Sequence, residues 1–189
     1  MKVGLFFGSF NPIHTGHLII ANHVANYYSE NVWFIVSPHN PLKKSSELLR
    51  AEDRLDLVKL AVENDSRFEV SDIEFNLPAP SYTITTLEAL KKTYPQHEFY
   101  LIIGSDNWLS LPNWKSPTEI VENYNLLIYE RPGFQVNGNE LSGNIQLLTA
   151  PLLDISSSWI RKLIRENKSI LYLVPEKVCS KILTNSYFR

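Results

Sequence analysis

Cysteine is almost missing from this chain: Cys179 is the single one in 189 residues. No disulfide can form within the chain, and Val178, Ser180, Lys181 and Ile182 around that thiol carry no nucleophile signature. Strong charge of either sign is missing as well. A net charge of −2 excludes a molecule coated in basic surface, so no nucleic acid and no membrane are expected among the partners. Long apolar runs are absent. The N-terminus places one lysine before a short apolar run that meets glycine and proline at once, which suits neither a signal peptide nor a membrane span, and the expected compartment is cytoplasmic. Internal repeats, low-complexity tracts and long linkers are likewise lacking.

What the chain does have is a hydrophobic fraction of 44% with 20% charged residues, the balance of one globular domain spanning residues 1–189. Apolar runs at 3–7, 32–36, 68–73, 99–103, 126–129 and 145–148 read as strands, several of them apolar throughout as buried parallel strands are. Between the first two, Leu18, Ala21, Val24, Ala25 and Tyr28 recur at helical spacing, and Leu55, Val58, Ala61 and Val62 repeat the pattern. Thr85 followed by Glu88 has the form of a capping box, with a helix running to about Thr93, short of Tyr94-Pro95. From Ser156 the tail reads as helical, with Trp159, Ile160, Leu163 and Ile164 as an apolar stripe and a last helix from Pro175; this segment, about 156–189, is expected to pack on the domain. Strand and helix alternate. The fold class is therefore α/β: a single doubly wound, Rossmann-like domain with a parallel sheet and helices on both faces, binding its ligands at the carboxyl ends of the strands.

One such end carries Gly8-Ser9-Phe10-Asn11-Pro12-Ile13-His14-Thr15-Gly16-His17. Glycine lets backbone approach an oxyanion, and the start of the following helix aims unpaired N–H groups and a positive dipole end at the same place. His14 and His17, three apart, share one helical face and can donate to one anion. The alternatives are a metal site and a histidine that caps a turn. No nearby carboxylate or cysteine completes a ligand set, which favours phosphate and leaves no metal residue to name.

Further segments extend the pattern. They are Ser37-Pro38-His39-Asn40-Pro41-Leu42-Lys43-Lys44, Ser81-Tyr82-Thr83 with Thr86-Leu87, Ile103-Gly104-Ser105-Asp106 leading to Leu111-Pro112-Asn113-Trp114, Arg131-Pro132-Gly133, and Ile155-Ser156-Ser157-Ser158-Trp159-Ile160-Arg161. In this order over nearly the whole length, the chain resembles the nucleotidyltransferase superfamily with the His-x-Gly-His signature and, within it, the bacterial nicotinate-nucleotide adenylyltransferases. The resemblance implies Mg²⁺, carried with ATP, and transfer of AMP from ATP to nicotinate mononucleotide, giving deamido-NAD and pyrophosphate. A phosphate nucleophile is already ionised at neutral pH, so such a site needs positioning and positive charge rather than an activated serine.

The same resemblance implies roles for individual residues. His14, His17 and Arg161 are the catalytic set, with His17 toward the α-phosphate. ATP is expected against Gly8, Ser9, Phe10, His14, His17, Gly104, Asp106, Arg131, Ile155, Ser156, Ser157 and Arg161, Asp106 accepting from ribose hydroxyls. The acceptor is expected against Lys43, Lys44, Tyr82, Thr83, Trp114 and Lys115, with Trp114 stacked on the pyridine ring, Trp108 as the second choice, and Thr83 at the carboxylate. Each has a plainer alternative: an N-cap for Ser156 and Asp106, core for Trp114, a solvated loop for the lysines.

Two departures stand out. Asn11 replaces the family's usual aspartate, in a turn one glycine short, and the residue after His39 is not basic. Within the superfamily the rival acceptors are nicotinamide mononucleotide and pantetheine phosphate; outside enzymes the rival is a nucleotide-binding sensor. Oligomeric state is open, and a homo-oligomer is compatible with the sequence.

Overall fold

Apolar residues in consecutive strands build a fully parallel six-stranded sheet, in the order β3-β2-β1-β4-β5-β6. The structure, a computed structural model, describes residues 1–39, 48–138, 141 and 143–189. The strands are β1 (Lys2–Gly8), β2 (Asn31–Val36), β3 (Phe68–Ser71), β4 (Glu98–Gly104), β5 (Asn125–Tyr129) and β6 (Ile145–Leu147). The helices are α1 (Thr15–Tyr27), α2 (Ala51–Val62), α3 (Thr83–Thr93), α4 (Ser105–Ser110), α5 (Pro117–Asn123), α6 (Ser157–Arg165) and α7 (Glu176–Thr184). Short 3-10 turns occupy Ile73–Asn76 and Leu111–Asn113.

Side chains alternate across each strand, and the register turns that alternation into two cores. Leu5 lies beside Trp33 on β2 and Leu101 on β4, and these three join Val3, Ile35, Ile103, Leu126 and Ile128 on one face. There Ile84, Leu87 and Leu90 of α3 and Ile120 of α5 cover them. Phe6, one residue on, faces the other way with Phe34, Ile102 and Leu127, under Ile20 and Val24 of α1, Leu57 and Val58 of α2, Ile160 and Ile164 of α6, and Val178 and Ile182 of α7. Helices on both faces of a parallel sheet are the architecture expected from the alternation of runs. Truncating a side chain with no exposure, such as Leu101, costs about 2–5 kcal/mol.

Most strand ends shift by a residue, and other boundaries differ for local reasons. α3 begins at Thr83 with Tyr82 as its N-cap, so Thr85 is the third helical residue and not a cap. β3 ends at Ser71, because the chain turns into 3-10 geometry at Ile73 and the apolar run continues across that change. The last helix starts at Glu176, with Pro175 as its N-cap. Among the described residues no helix is long and apolar enough to cross a membrane.

The strand order reverses between β1 and β4, the place where a doubly wound sheet leaves a crevice at its carboxyl edge. The Gly8–His17 stretch lies at that edge.

Candidate active site

Gly8 ends β1, and the chain then turns through Phe10, a residue with φ of +44° in the left-handed region. Such a conformation costs a non-glycine residue on the order of 1–3 kcal/mol, and here it is held by burial of the ring. Phe10 is 3% exposed, edge-on to Phe6, Phe34 and His17. A Cβ on Gly8 would meet that ring at 2.9 Å. Gly8 therefore makes room for Phe10, and Phe10 supports the ring of His17. Ser9 is 2% exposed, with its carbonyl accepting from Arg54 at 2.6 Å. These three residues shape the loop; none of them lines the cavity described below.

His14 is the N-cap of α1 and His17 its third residue, so the two imidazoles are not successive members of a helical face. They form a reciprocal pair instead. His17 N–H donates to Nδ1 of His14 at 3.4 Å, and His14 N–H donates to Nδ1 of His17 at 3.3 Å. With Nδ1 accepting in both rings, the proton each can offer sits on Nε2. Burial, reinforced by the positive charge of Arg131, holds His14 down at about 3, so it is a neutral donor at physiological pH. Gly16 lets the ring of His14 lie close, since a Cβ there would come within 3.0 Å of it.

Both histidines open onto a cavity of about 430 Å³ at the carboxyl edge of the sheet. Arg131, Ile155, Ser156, Ser157 and Arg161 line it with them, so residues from opposite ends of the sequence meet there. Two hydrogen bonds close the seam between those ends. Ser157 Oγ donates to the Pro12 carbonyl at 2.8 Å, and Arg161 Nη1 donates to the Asn11 carbonyl at 2.8 Å. Ser156 is the N-cap of α6, its Oγ accepting from Trp159 N–H at 3.2 Å. The start of α6 thus faces the histidines with its first-turn N–H groups and Arg161.

Arg131 also pairs with Asp106, Nη1 to Oδ2 at 2.9 Å. Gly104 gives that pair its space, because a Cβ there would collide with Asp106 Oδ1 and come within 2.9 Å of Arg131. Asp106 Oδ1 is buried with no hydrogen-bond partner. Gly104 and Asp106 do not themselves line the cavity.

Of the expected acceptor residues, Tyr82, Thr83, Trp114 and Lys115 do not line the cavity. Tyr82 and Thr83 open α3, and Lys115 Nζ lies over the Tyr82 ring, 4.7 Å from its centroid. Trp114 and Trp108 pack half-buried against the α3 face of the sheet, and Trp114 Nε1 is buried without a partner. Lys43 and Lys44 lie outside the described residues.

Sequence reasoning missed several lining groups: Gly16, Tyr129, Glu130, Leu153 and Ser158. Tyr129 and Glu130 directly precede Arg131, and Ser158 follows Ser157, so adjacency to a singled-out motif was the signal available. Burial first, then Arg131 opposing and Asp106 adding, leaves the Tyr129 hydroxyl pushed up to about 12 and hence protonated. Asn11, whose missing charge marked it as a departure, is 3% exposed and accepts Leu49 N–H at 3.0 Å through Oδ1. An amide oxygen serves that bond without adding a negative charge to the cavity, which Asn11 lines.

The profile of the cytidylyltransferase-like family matches residues 5–163. A protein of Cytophaga hutchinsonii named "Probable nicotinate-nucleotide adenylyltransferase" is 49% identical over 189 residues, covering 100% of this chain and 98% of its own. One of the same name from Flavobacterium johnsoniae is 47% identical, covering 100% of both. Among solved structures, the Plasmodium falciparum nicotinic acid mononucleotide adenylyltransferase complexed with NaAD superposes with a TM-score of 0.84 at 20% identity, covering 99% of this chain and 97% of that one, a likeness of fold. The chain belongs to the cytidylyltransferase-like family and, within it, to the nicotinate-nucleotide adenylyltransferases.

Proposed function

We propose that this protein transfers AMP from ATP to nicotinate mononucleotide, yielding nicotinate adenine dinucleotide and pyrophosphate, a step of NAD biosynthesis. The observation that carries the proposal is the cavity in which His14, His17, Arg131, Arg161 and the start of α6 converge, in a chain whose full-length relatives bear that enzyme's name.

A phosphate oxygen of the mononucleotide attacks the α-phosphorus of ATP; the bond from that phosphorus to the bridging oxygen breaks, and the electron pair leaves with pyrophosphate. The attacking phosphate is ionised at neutral pH, so no side chain has to take a proton. What the protein supplies is alignment and donors for the non-bridging oxygens, each worth on the order of 2.7–4 kcal/mol of barrier. His17, steadied by Phe10, suits donation to the α-phosphate from Nε2, and neutral His14 suits donation beside it. The N–H groups of α6, with Ser156, Ser157 and Arg161, suit the β- and γ-phosphates. Asp106 Oδ1, a buried acceptor without a donor, suits a ribose hydroxyl.

Among the described residues no three His, Cys, Asp or Glu side chains come together as a metal site. The donors at the cavity suit phosphate oxygens rather than a hard cation, which fits Mg²⁺ arriving with ATP, held by phosphate and water and offsetting their charge. For the acceptor, the first turn of α3 is attractive: Tyr82 gives it no side-chain cap, and Thr83 offers a hydroxyl with the N–H groups to a carboxylate. Trp114 offers an indole face to an electron-poor pyridine.

Pyrophosphate release from Mg-ATP, measured in parallel with nicotinate mononucleotide, nicotinamide mononucleotide and pantetheine phosphate, tests the proposal. Fastest turnover with the first supports it. A preference for either of the others overturns the acceptor assignment, and nucleotide binding without release in any well leaves a sensor.

A further inference from the structure

Arg54 lies on α2, in a stripe that packs against the sheet, and among the described residues it is the largest fully buried side chain, at 1% exposure. Its guanidinium donates to backbone carbonyls. Nη1 reaches Ser9 at 2.6 Å and Ser37 at 2.9 Å, Nη2 reaches Pro38 at 3.0 Å, and Nε reaches Leu49 at 2.9 Å. Burial lowers the group to about 10, with Glu52 opposing, so the charge persists at neutral pH. The four carbonyls come from three separate stretches of chain: the loop after β1, the end of β2, and the approach to α2. All lie at the carboxyl edge of the sheet. Leu49 is held from its other side too, its N–H donating to Asn11 Oδ1, while the Asn11 carbonyl accepts from Arg161.

We infer that Arg54 is a positioning residue for the transfer reaction: one guanidinium ties these stretches together and so sets where Asn11 presents its carbonyl to Arg161 and where the histidine loop begins. The inference rests on the adenylyltransferase reading for its catalytic consequence, and on the hydrogen bonds alone for its structural one. A planar fork with five donors can serve four acceptors spread around it, whereas a lysine ammonium has three donors and no fork. A displacement of about 1 Å in a positioning group costs about 10²-fold in turnover.

Two readouts test it. In Arg54→Lys, kcat should fall about 10²-fold, with KM for ATP and for the acceptor changing far less. In Arg54→Ala, millimolar methylguanidinium should restore turnover where methylammonium does not. In the substrate-free proteins, hydrogen exchange should quicken in peptides covering residues 8–14 and 37–39 of Arg54→Lys, while residues 117–129 stay as in wild type. Wild-type kcat in the lysine variant together with unchanged exchange overturns the inference. Failure of Arg54→Lys to fold, or exchange quickened evenly along the chain, overturns it as well, since the side chain then serves the whole fold. An inactive wild type would sink the adenylyltransferase reading, and the exchange pattern would still decide the role of Arg54.

Discussion

The rings of His14 and His17 stack 3.6 Å apart at an interplanar angle of 22°, each Nδ1 accepting the other residue's backbone N–H. The pair is a capping box built from two imidazoles, in which the rings that open the helix also line the cavity.

His17→Ala should lower kcat about 10²–10³-fold while ATP affinity changes far less, because the Nε2 donor gains strength as charge develops on the α-phosphate. Single-turnover rates beside equilibrium ATP binding make the comparison. An equal loss in both would move His17 from the transition state to simple ground-state binding.

Acid should destabilise the protein through His14. Its value is about 3 when folded against 6.5 for the free side chain, so between those limits the unfolded chain binds the extra proton. Stability therefore rises with pH through that window and is lost as pH falls from 6.5 towards 3. Relative to His14→Asn, wild type should lose roughly 3 kcal/mol more between about pH 7 and about pH 4 in urea melts. Parallel slopes for the two proteins would place the ring in water.

Gly8→Ala should cost about 1–3 kcal/mol, since its methyl meets the Phe10 ring at 2.9 Å. Combining it with Phe10→Leu should recover part of that loss, a coupling that thermal melts of the two single variants and the double variant would reveal. Strict additivity would mean that the glycine answers to something other than the ring.

Trp114→Ala should raise KM for nicotinate mononucleotide roughly 2- to 12-fold and leave KM for ATP nearly unchanged. Trp114→Phe, which keeps an aromatic face and most of the packing, should fall between. A defect confined to ATP would put the indole in the other half of the site.

The sheet was legible because fully buried strands are apolar throughout: the runs around Leu5, Phe34, Leu101 and Leu127 leave little other reading. Boundaries were less so. Thr85 has the chemistry of a cap, but Tyr82 ends the preceding extended stretch and starts the helix earlier. Of the site, His14 and His17 were readable from type and spacing, and Arg131, Ser156, Ser157 and Arg161, which line the same cavity, through the family resemblance. The residues that hold them were not. Phe10 was expected against ATP and instead supports the ring of His17, and Arg54 looks like the polar edge of an amphipathic helix, since nothing in a sequence shows that four carbonyls from elsewhere converge on it.

Ser157 meets Pro12, and Arg161 meets Asn11, across 145 and 150 residues of chain. Contacts so distant in sequence carry a loop-closure cost that local contacts do not. During synthesis the growing polypeptide emerges N-terminus first, so its histidines leave the ribosome long before their counterparts exist. A nascent or prematurely terminated fragment would carry the histidine loop without Ser157 and Arg161, and the cavity becomes a property of the finished molecule alone.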